Sequence, residues 1–145
     1  SSYLNDAYRT LRNPVSRIEH VLAVEGFAPV TSDRGNTVPP ALLEEVFELN
    51  EELDDIRSAR EAGGDPARLR ARLEAAREPI DRKRTAHEQD LADLSARWDA
   101  QADAPADERR RVLDQLRQRL LERNYLNNLI ATIEREIAAL GAARG

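Results

Sequence analysis

Three long segments of the chain carry apolar residues at alternating spacings of three and four, and this period constrains the fold more than any other feature. Such spacing places the apolar side chains on one face of an α-helix. The breaks at Gly63-Gly64-Asp65 and Ala104-Pro105 are short, so consecutive helices are expected to pack antiparallel. The inward residues are predicted to be Leu42, Val46, Leu49, Leu53 and Ile56, then Leu69, Leu73, Ala76, Ile80, Leu91, Leu94 and Trp98, then Leu116, Leu120, Leu126, Ile130, Ile133 and Ile137.

Proline, glycine and capping residues predict where these helices begin and end. Pro79 lies inside the second helix, where it removes a hydrogen-bond donor and clashes with the preceding turn at a cost of about 3 kcal/mol. A kink is therefore expected there, with a break as the alternative. The predicted bounds are Pro39-Pro40 to about Ala62, Asp65-Pro66 to about Trp98 or Ala100, and Pro105 to about Leu140 with Gly141 ending the helix.

The N-terminal region predicts two shorter helices and a linker. The first helix runs from Ser2 to about Leu11, and the second begins where Asn13 can cap the chain and ends near Gly26. Residues 27–38 have no period and several turn formers, which is typical of a linker. The expected fold is therefore all-α, with a small helical unit over 1–26, a linker over 27–38 and an antiparallel three-helix bundle over 39–145.

Charge and composition exclude several classes of function. The net charge of −5 leaves no excess of basic residues to attract nucleic acid, and no apolar run approaches the roughly 20 residues that cross a bilayer. Neither a membrane association nor a basic-then-apolar signal is expected, so the chain is predicted to be cytoplasmic. Cysteine is absent, which excludes disulfides and thiolate ligands. Methionine is absent as well, which indicates that the natural start lies upstream.

The sequence offers no reactive constellation, so the chain is predicted not to be an enzyme and to hold no cofactor or metal. His20 and His87 follow arginine rather than glutamate by three residues, which removes the Glu-x-x-His pattern of di-metal helical sites. Because His87 falls at an inward position, it is interpreted as a structural residue. The basic segments are expected to be solvated faces that pair with acids on the same helices: Arg68 to Arg72, Arg82 to Arg84 and Arg109 to Arg111.

The first bundle helix has more apolar surface than one stripe requires. Leu43 and Phe47 lie one turn apart and form an apolar ridge beside the inward stripe. The ridge can widen the core of the bundle or form a partly exposed anchor surrounded by acids for a protein partner, and the two interpretations are not exclusive. On the last helix, Tyr125 lies just off the inward stripe, which suits either the margin of a bundle or a binding surface. The acids around or beyond the ridge are Glu44, Glu48, Glu51 and Glu52.

Three segments carry a resemblance to one family. Residues 4–22, LNDAYRTLRNPVSRIEHVL, resemble the last two helices of a J-domain. Residues 42–56, LLEEVFELNEELDDI, look like the start of the C-terminal domain of HscB-type co-chaperones, and residues 124–129, NYLNNL, resemble that domain's last helix. The segments occur in the family's order and cover nearly the whole chain.

The resemblance implies a co-chaperone that binds an IscU-type iron–sulfur scaffold protein and delivers it to an HscA-type or DnaK-type chaperone, whose ATPase it stimulates. Glu44 departs from the family, where an apolar residue is common. The J-domain's His-Pro-Asp tripeptide is also missing, so this segment by itself is expected to bind the scaffold without stimulating the chaperone. The alternative is a structural bundle that self-associates through its wide apolar face. The resemblance assigns scaffold binding to Leu43, Phe47, Glu48, Glu51 and Tyr125, with Glu44 and Asp55 as weaker candidates.

Overall fold

The computed structural model describes residues 14–27 and 38–142, and within these ranges every regular element is helical. The expected all-α helical bundle is therefore confirmed. The helix predicted over residues 2–11 and most of the predicted linker lie outside the described residues. The elements are α1 (Pro14–Val24), a 3-10 turn (Pro40–Leu42), α2 (Leu43–Glu61), α3 (Pro66–Ala100) and α4 (Ala106–Ala142).

Local chemistry explains the turn between α2 and α3. Gly63 has a φ of +84°, a conformation that other residues rarely adopt, and a Cβ on Gly64 would lie only 2.9 Å from the carbonyl oxygen of Ala59. The carboxylate of Asp65 then accepts a hydrogen bond of 3.2 Å from the backbone N–H of Ala67 and caps α3. The turn is therefore built as the sequence predicts.

The structure decides two points of helix continuity. Helix α3 runs through Pro79 as one element of 35 residues, as its predicted bounds require, so the alternative of a break at Pro79 is wrong. Gly141 does not end α4, because the helix continues to Ala142. A proline on an exposed helix surface is tolerated when the residues around it pack into the core and hold the helix together. Ile80, the next residue, supplies such packing because it is only 3% exposed.

The long hairpin of α3 and α4 forms the framework of the fold, and a different third helix covers each half. Beside the α2–α3 turn, α2 packs on the hairpin and contributes Leu49, Leu53 and Ile56 to the shared core. Toward the α3–α4 turn, α1 takes the third position and buries Ile18 and Leu22 against the hairpin. The bundle predicted for residues 39–145 therefore has three helices along only half of its length.

Helices α1 and α2 lie on opposite faces of the hairpin. The side chain of Arg72 on α3 pairs with Glu52 of α2, whereas Asp99 on α3 pairs with Arg17 of α1 at 2.5 Å. Arg72 and Asp99 are separated by about 7.5 helical turns, which places them on opposite sides of α3. Helix α1 therefore covers the half of the hairpin near the α3–α4 turn, and α2 covers the other half from the opposite side.

The predicted inward stripes are confirmed with some changes at the margins. Ala76, Leu94, Trp98 and Ile137 are half-buried and pack at the edges of the core rather than inside it. Val112 and Leu113 are additional core residues, because α1 covers this part of α4. The basic segments pair with acids as expected, as in Arg70–Glu74, Arg82–Glu78 and Arg84–Asp81.

Candidate functional site

The apolar ridge on α2 is exposed. The side chains of Leu43 and Phe47 retain 56% and 64% of their accessible surface, respectively, although the neighbouring inward residues Leu42 and Val46 are buried. The interpretation that the ridge widens the core is therefore wrong. Large exposed apolar side chains cost free energy in water, and when they lie together they are typical of a surface that another molecule covers.

The ridge borders the groove between α2 and α4. Arg57, about four turns after Leu43 on the same side of α2, donates hydrogen bonds of 3.0 and 2.8 Å to Glu136 of α4. Tyr125 precedes Glu136 by about three turns and so lies on the face of α4 that is turned toward α2. The Arg57–Glu136 contact therefore establishes that Tyr125 and the ridge flank the same groove.

Tyr125 forms the other wall of this groove. Its side chain is half-buried and packs against the cluster that contains Leu42, Val46 and Leu126. Leu129, also half-buried, lies one turn further along the same face of α4. The structure thus places three of the predicted site residues, Leu43, Phe47 and Tyr125, around one surface that we call the apolar patch.

The predicted acidic residues lie on the outward side of α2. At 100° per residue, Glu44, Glu48, Glu51 and Asp55 cover an arc that begins beside Phe47 and turns away from α4. All four are exposed, and none forms an ion pair within the described parts of the chain. The patch is therefore bordered on its outer side by carboxylates whose charge is not neutralised by neighbouring basic residues.

Two other glutamates of α2 serve the fold. Glu45 pairs with Lys83, and Glu52 pairs with Arg72; both basic residues belong to α3. The Lys83 ammonium also donates to the carbonyl oxygen of Ala41 at 3.2 Å, which ties the start of α2 to α3. These contacts separate the acids that hold α2 in place from those that remain available to a partner.

A buried polar pair lies between the two helices of the hairpin. His87 of α3 is 5% exposed and Glu122 of α4 is 2% exposed. The imidazole Nε2 lies 2.8 Å from Glu122 Oε1, and Nδ1 lies 2.9 Å from the carbonyl oxygen of Lys83. Each ring nitrogen therefore lies within hydrogen-bond distance of an oxygen acceptor, and the contact with Glu122 joins α3 to α4 inside the core.

Glu122 is held as a carboxylate by its neighbours. Burial acts to raise the pKa of Glu122, but hydrogen bonds from Gln118, His87 and Arg119 outweigh it and hold that pKa below the ordinary value of 4.5. The predicted structural role of His87 is confirmed. Sequence reasoning missed Glu122, because a glutamate on a helix rich in charged residues gives no signal of burial before its histidine partner is placed opposite.

Comparisons with known proteins leave the family open: no protein-family model matches the chain, and no solved structure matches it significantly. Within residues 14–27 and 38–142, no group of three or more histidine, aspartate or glutamate side chains could hold a metal ion. None of the helices in the described part of the chain is both long and apolar enough to span a bilayer.

Proposed function

We propose that the chain is the partner-binding part of an HscB-type co-chaperone, which binds an IscU-type iron–sulfur scaffold protein and delivers it to an HscA-type or DnaK-type chaperone. The single observation that carries the proposal is the exposure of Leu43 and Phe47 beside Tyr125 and a row of unpaired carboxylates. The three sequence segments that resemble the family support it independently. When its J-domain is complete, the co-chaperone would stimulate ATP hydrolysis by the chaperone.

The arrangement suits a transient protein contact. An aromatic anchor at the centre of an interface commonly contributes a large share of the binding free energy, while charges at the rim mainly speed encounter and select the partner. Phe47 and Leu43 are the candidates for the anchor, and Glu48, Glu51, Glu44 and Asp55 are the candidates for the rim. A scaffold surface with an apolar depression and a basic edge would complement this patch.

Phe47→Ala is expected to weaken binding to the scaffold by about 2 kcal/mol, or roughly 30-fold, because it removes the largest exposed ring of the patch. Isothermal titration calorimetry with an IscU-type scaffold measures the change. Val24→Ala is the matched control, because Val24 is 69% exposed but lies on α1. Equal affinities for Phe47→Ala and the unmodified protein would contradict the proposal.

Glu48→Lys is expected to slow association with the scaffold by about tenfold at low salt and to weaken the salt dependence of that rate. Stopped-flow fluorescence over a series of salt concentrations measures both effects. Glu61→Lys serves as the control, since Glu61 is exposed at the far end of α2, about 20 Å from Glu48. A change confined to dissociation would instead indicate that Glu48 is buried in the complex.

The same exposed ridge also supports self-association as the alternative function. Sedimentation velocity separates the two proposals, because a co-chaperone that meets its client transiently is expected to be monomeric at micromolar concentration. A stable dimer that dissociates on Phe47→Ala would favour the self-assembling bundle.

A further inference from the structure

A second groove lies on the opposite side of α2 from the apolar patch. Leu49, Ala76, Pro79 and Ile80 supply its apolar surface between α2 and α3. Glu45, Glu48 and Glu52 line it from α2. Because Glu48 is also one of the predicted scaffold-binding residues, this surface, which we call the Pro79 groove, adjoins the candidate site.

The charges in the Pro79 groove are only partly satisfied. Glu52 pairs with Arg72, and one carboxylate oxygen of Glu45 pairs with Lys83. The other oxygen, Glu45 Oε2, is buried and has no hydrogen-bond partner in the described structure. Glu48 has no ion pair there either. Glu48 is exposed, so its carboxylate is the one in this groove that is open to a donor from another molecule.

Pro79 adds a flat apolar surface. Its ring is exposed on α3 and forms part of the groove. The groove therefore combines an apolar surface with carboxylate acceptors.

We propose that the Pro79 groove binds an arginine side chain of the protein partner, with the aliphatic stem on Ala76 and Pro79 and the guanidinium against the exposed carboxylate of Glu48. Arginine fits better than lysine, because its planar guanidinium can stack on a flat apolar surface and donate to several acceptors at once. The inference rests on the proposed scaffold-binding function, and it extends the contact surface across α2 from the apolar patch to α3.

A small arginine derivative tests the groove without the scaffold. N-acetyl-L-arginine methylamide is titrated into the ¹⁵N-labelled protein, and the citrulline derivative, which has the same shape without the charge, is the matched ligand. The arginine derivative is expected to cause saturable shifts of the backbone amides of Glu48, Leu49, Ala76 and Ile80, with at least about tenfold weaker binding of citrulline. No saturable shift, or equal binding of the two ligands, would overturn the proposal.

Two variants sharpen the test. Glu48→Gln removes the free charge, and Pro79→Ala removes the ring that forms part of the groove; each is expected to weaken arginine binding several-fold. Glu61→Gln is the control and should leave it unchanged. If the scaffold binds in a Phe47-dependent manner while the arginine derivative does not bind the groove, this inference fails and the proposed function stands. If the arginine derivative binds the groove but the scaffold does not bind the protein, the proposed function fails and the groove remains an arginine site.

Discussion

We expect Glu122→Ala to lower the free energy of unfolding by about 3–5 kcal/mol, the largest effect of any single charged residue in the described chain. The substitution leaves the buried ring of His87 without its carboxylate partner and leaves Arg119 and Gln118 without a shared acceptor. Chemical denaturation in urea at pH 7 measures the loss. Glu88→Ala is the matched control, because Glu88 forms only a half-exposed pair with Arg123 at 3.7 Å.

A double variant separates the pair from its surroundings. Replacing His87 and Glu122 together with apolar residues of similar volume, for example His87→Phe with Glu122→Leu, is expected to recover most of the stability lost in Glu122→Ala. The reason is that the double variant removes both polar side chains, so neither is left buried without its partner. If the double variant is as unstable as the single one, packing rather than charge pairing explains the loss.

The pair also predicts a dependence on pH. The folded-state pKa of Glu122 lies below its ordinary value, so its contribution to stability is complete above the ordinary carboxyl range, about pH 5, and is lost as the pH falls through the lowered pKa. Glu45 acts in the same direction, because hydrogen bonding to Lys83 opposes the effect of burial and lowers its pKa. Thermal unfolding between about pH 3 and pH 7 should show a shallower acid slope for Glu122→Gln than for the unmodified protein.

Leu126→Ala is expected to lower the free energy of unfolding by about 2–5 kcal/mol and to weaken scaffold binding as well. Leu126 is fully buried in the cluster that joins the start of α2 to α3 and α4, directly below the apolar patch. A cavity there removes the support of both Leu42 and Val46, the inward neighbours of the ridge. Urea denaturation and calorimetric titration with the scaffold measure the two effects.

Leu120→Ala provides the matched comparison. Leu120 is equally buried, but it lies in the cluster covered by α1. It is expected to cost similar stability while leaving scaffold affinity unchanged at temperatures where the protein is folded. Equal losses of affinity in the two variants would show that binding responds to global stability and not to the shape of the apolar patch.

Much of the local structure could be predicted because it depends on residues close together in sequence. The spacing of Leu49, Leu53 and Ile56 determines which face of α2 turns inward, and the Asp65-Pro66 pair determines where α3 begins. The inward position of His87 follows from the same period. The solvated character of the arginine-rich faces could likewise be predicted, because acids stand three or four residues away on the same helices.

Only the tertiary structure decided whether the apolar ridge is core or surface. Helical period places Leu43 and Phe47 beside the inward stripe. Their burial, however, depends on how far the neighbouring helix extends over them, which cannot be predicted from the residues nearby in sequence. The burial of Glu122, the Pro79 groove and the placement of α1 and α2 on opposite faces of the hairpin depend on contacts between residues far apart in the chain. Sequence period determines the direction in which a side chain points from its own helix, whereas packing determines what lies there to meet it.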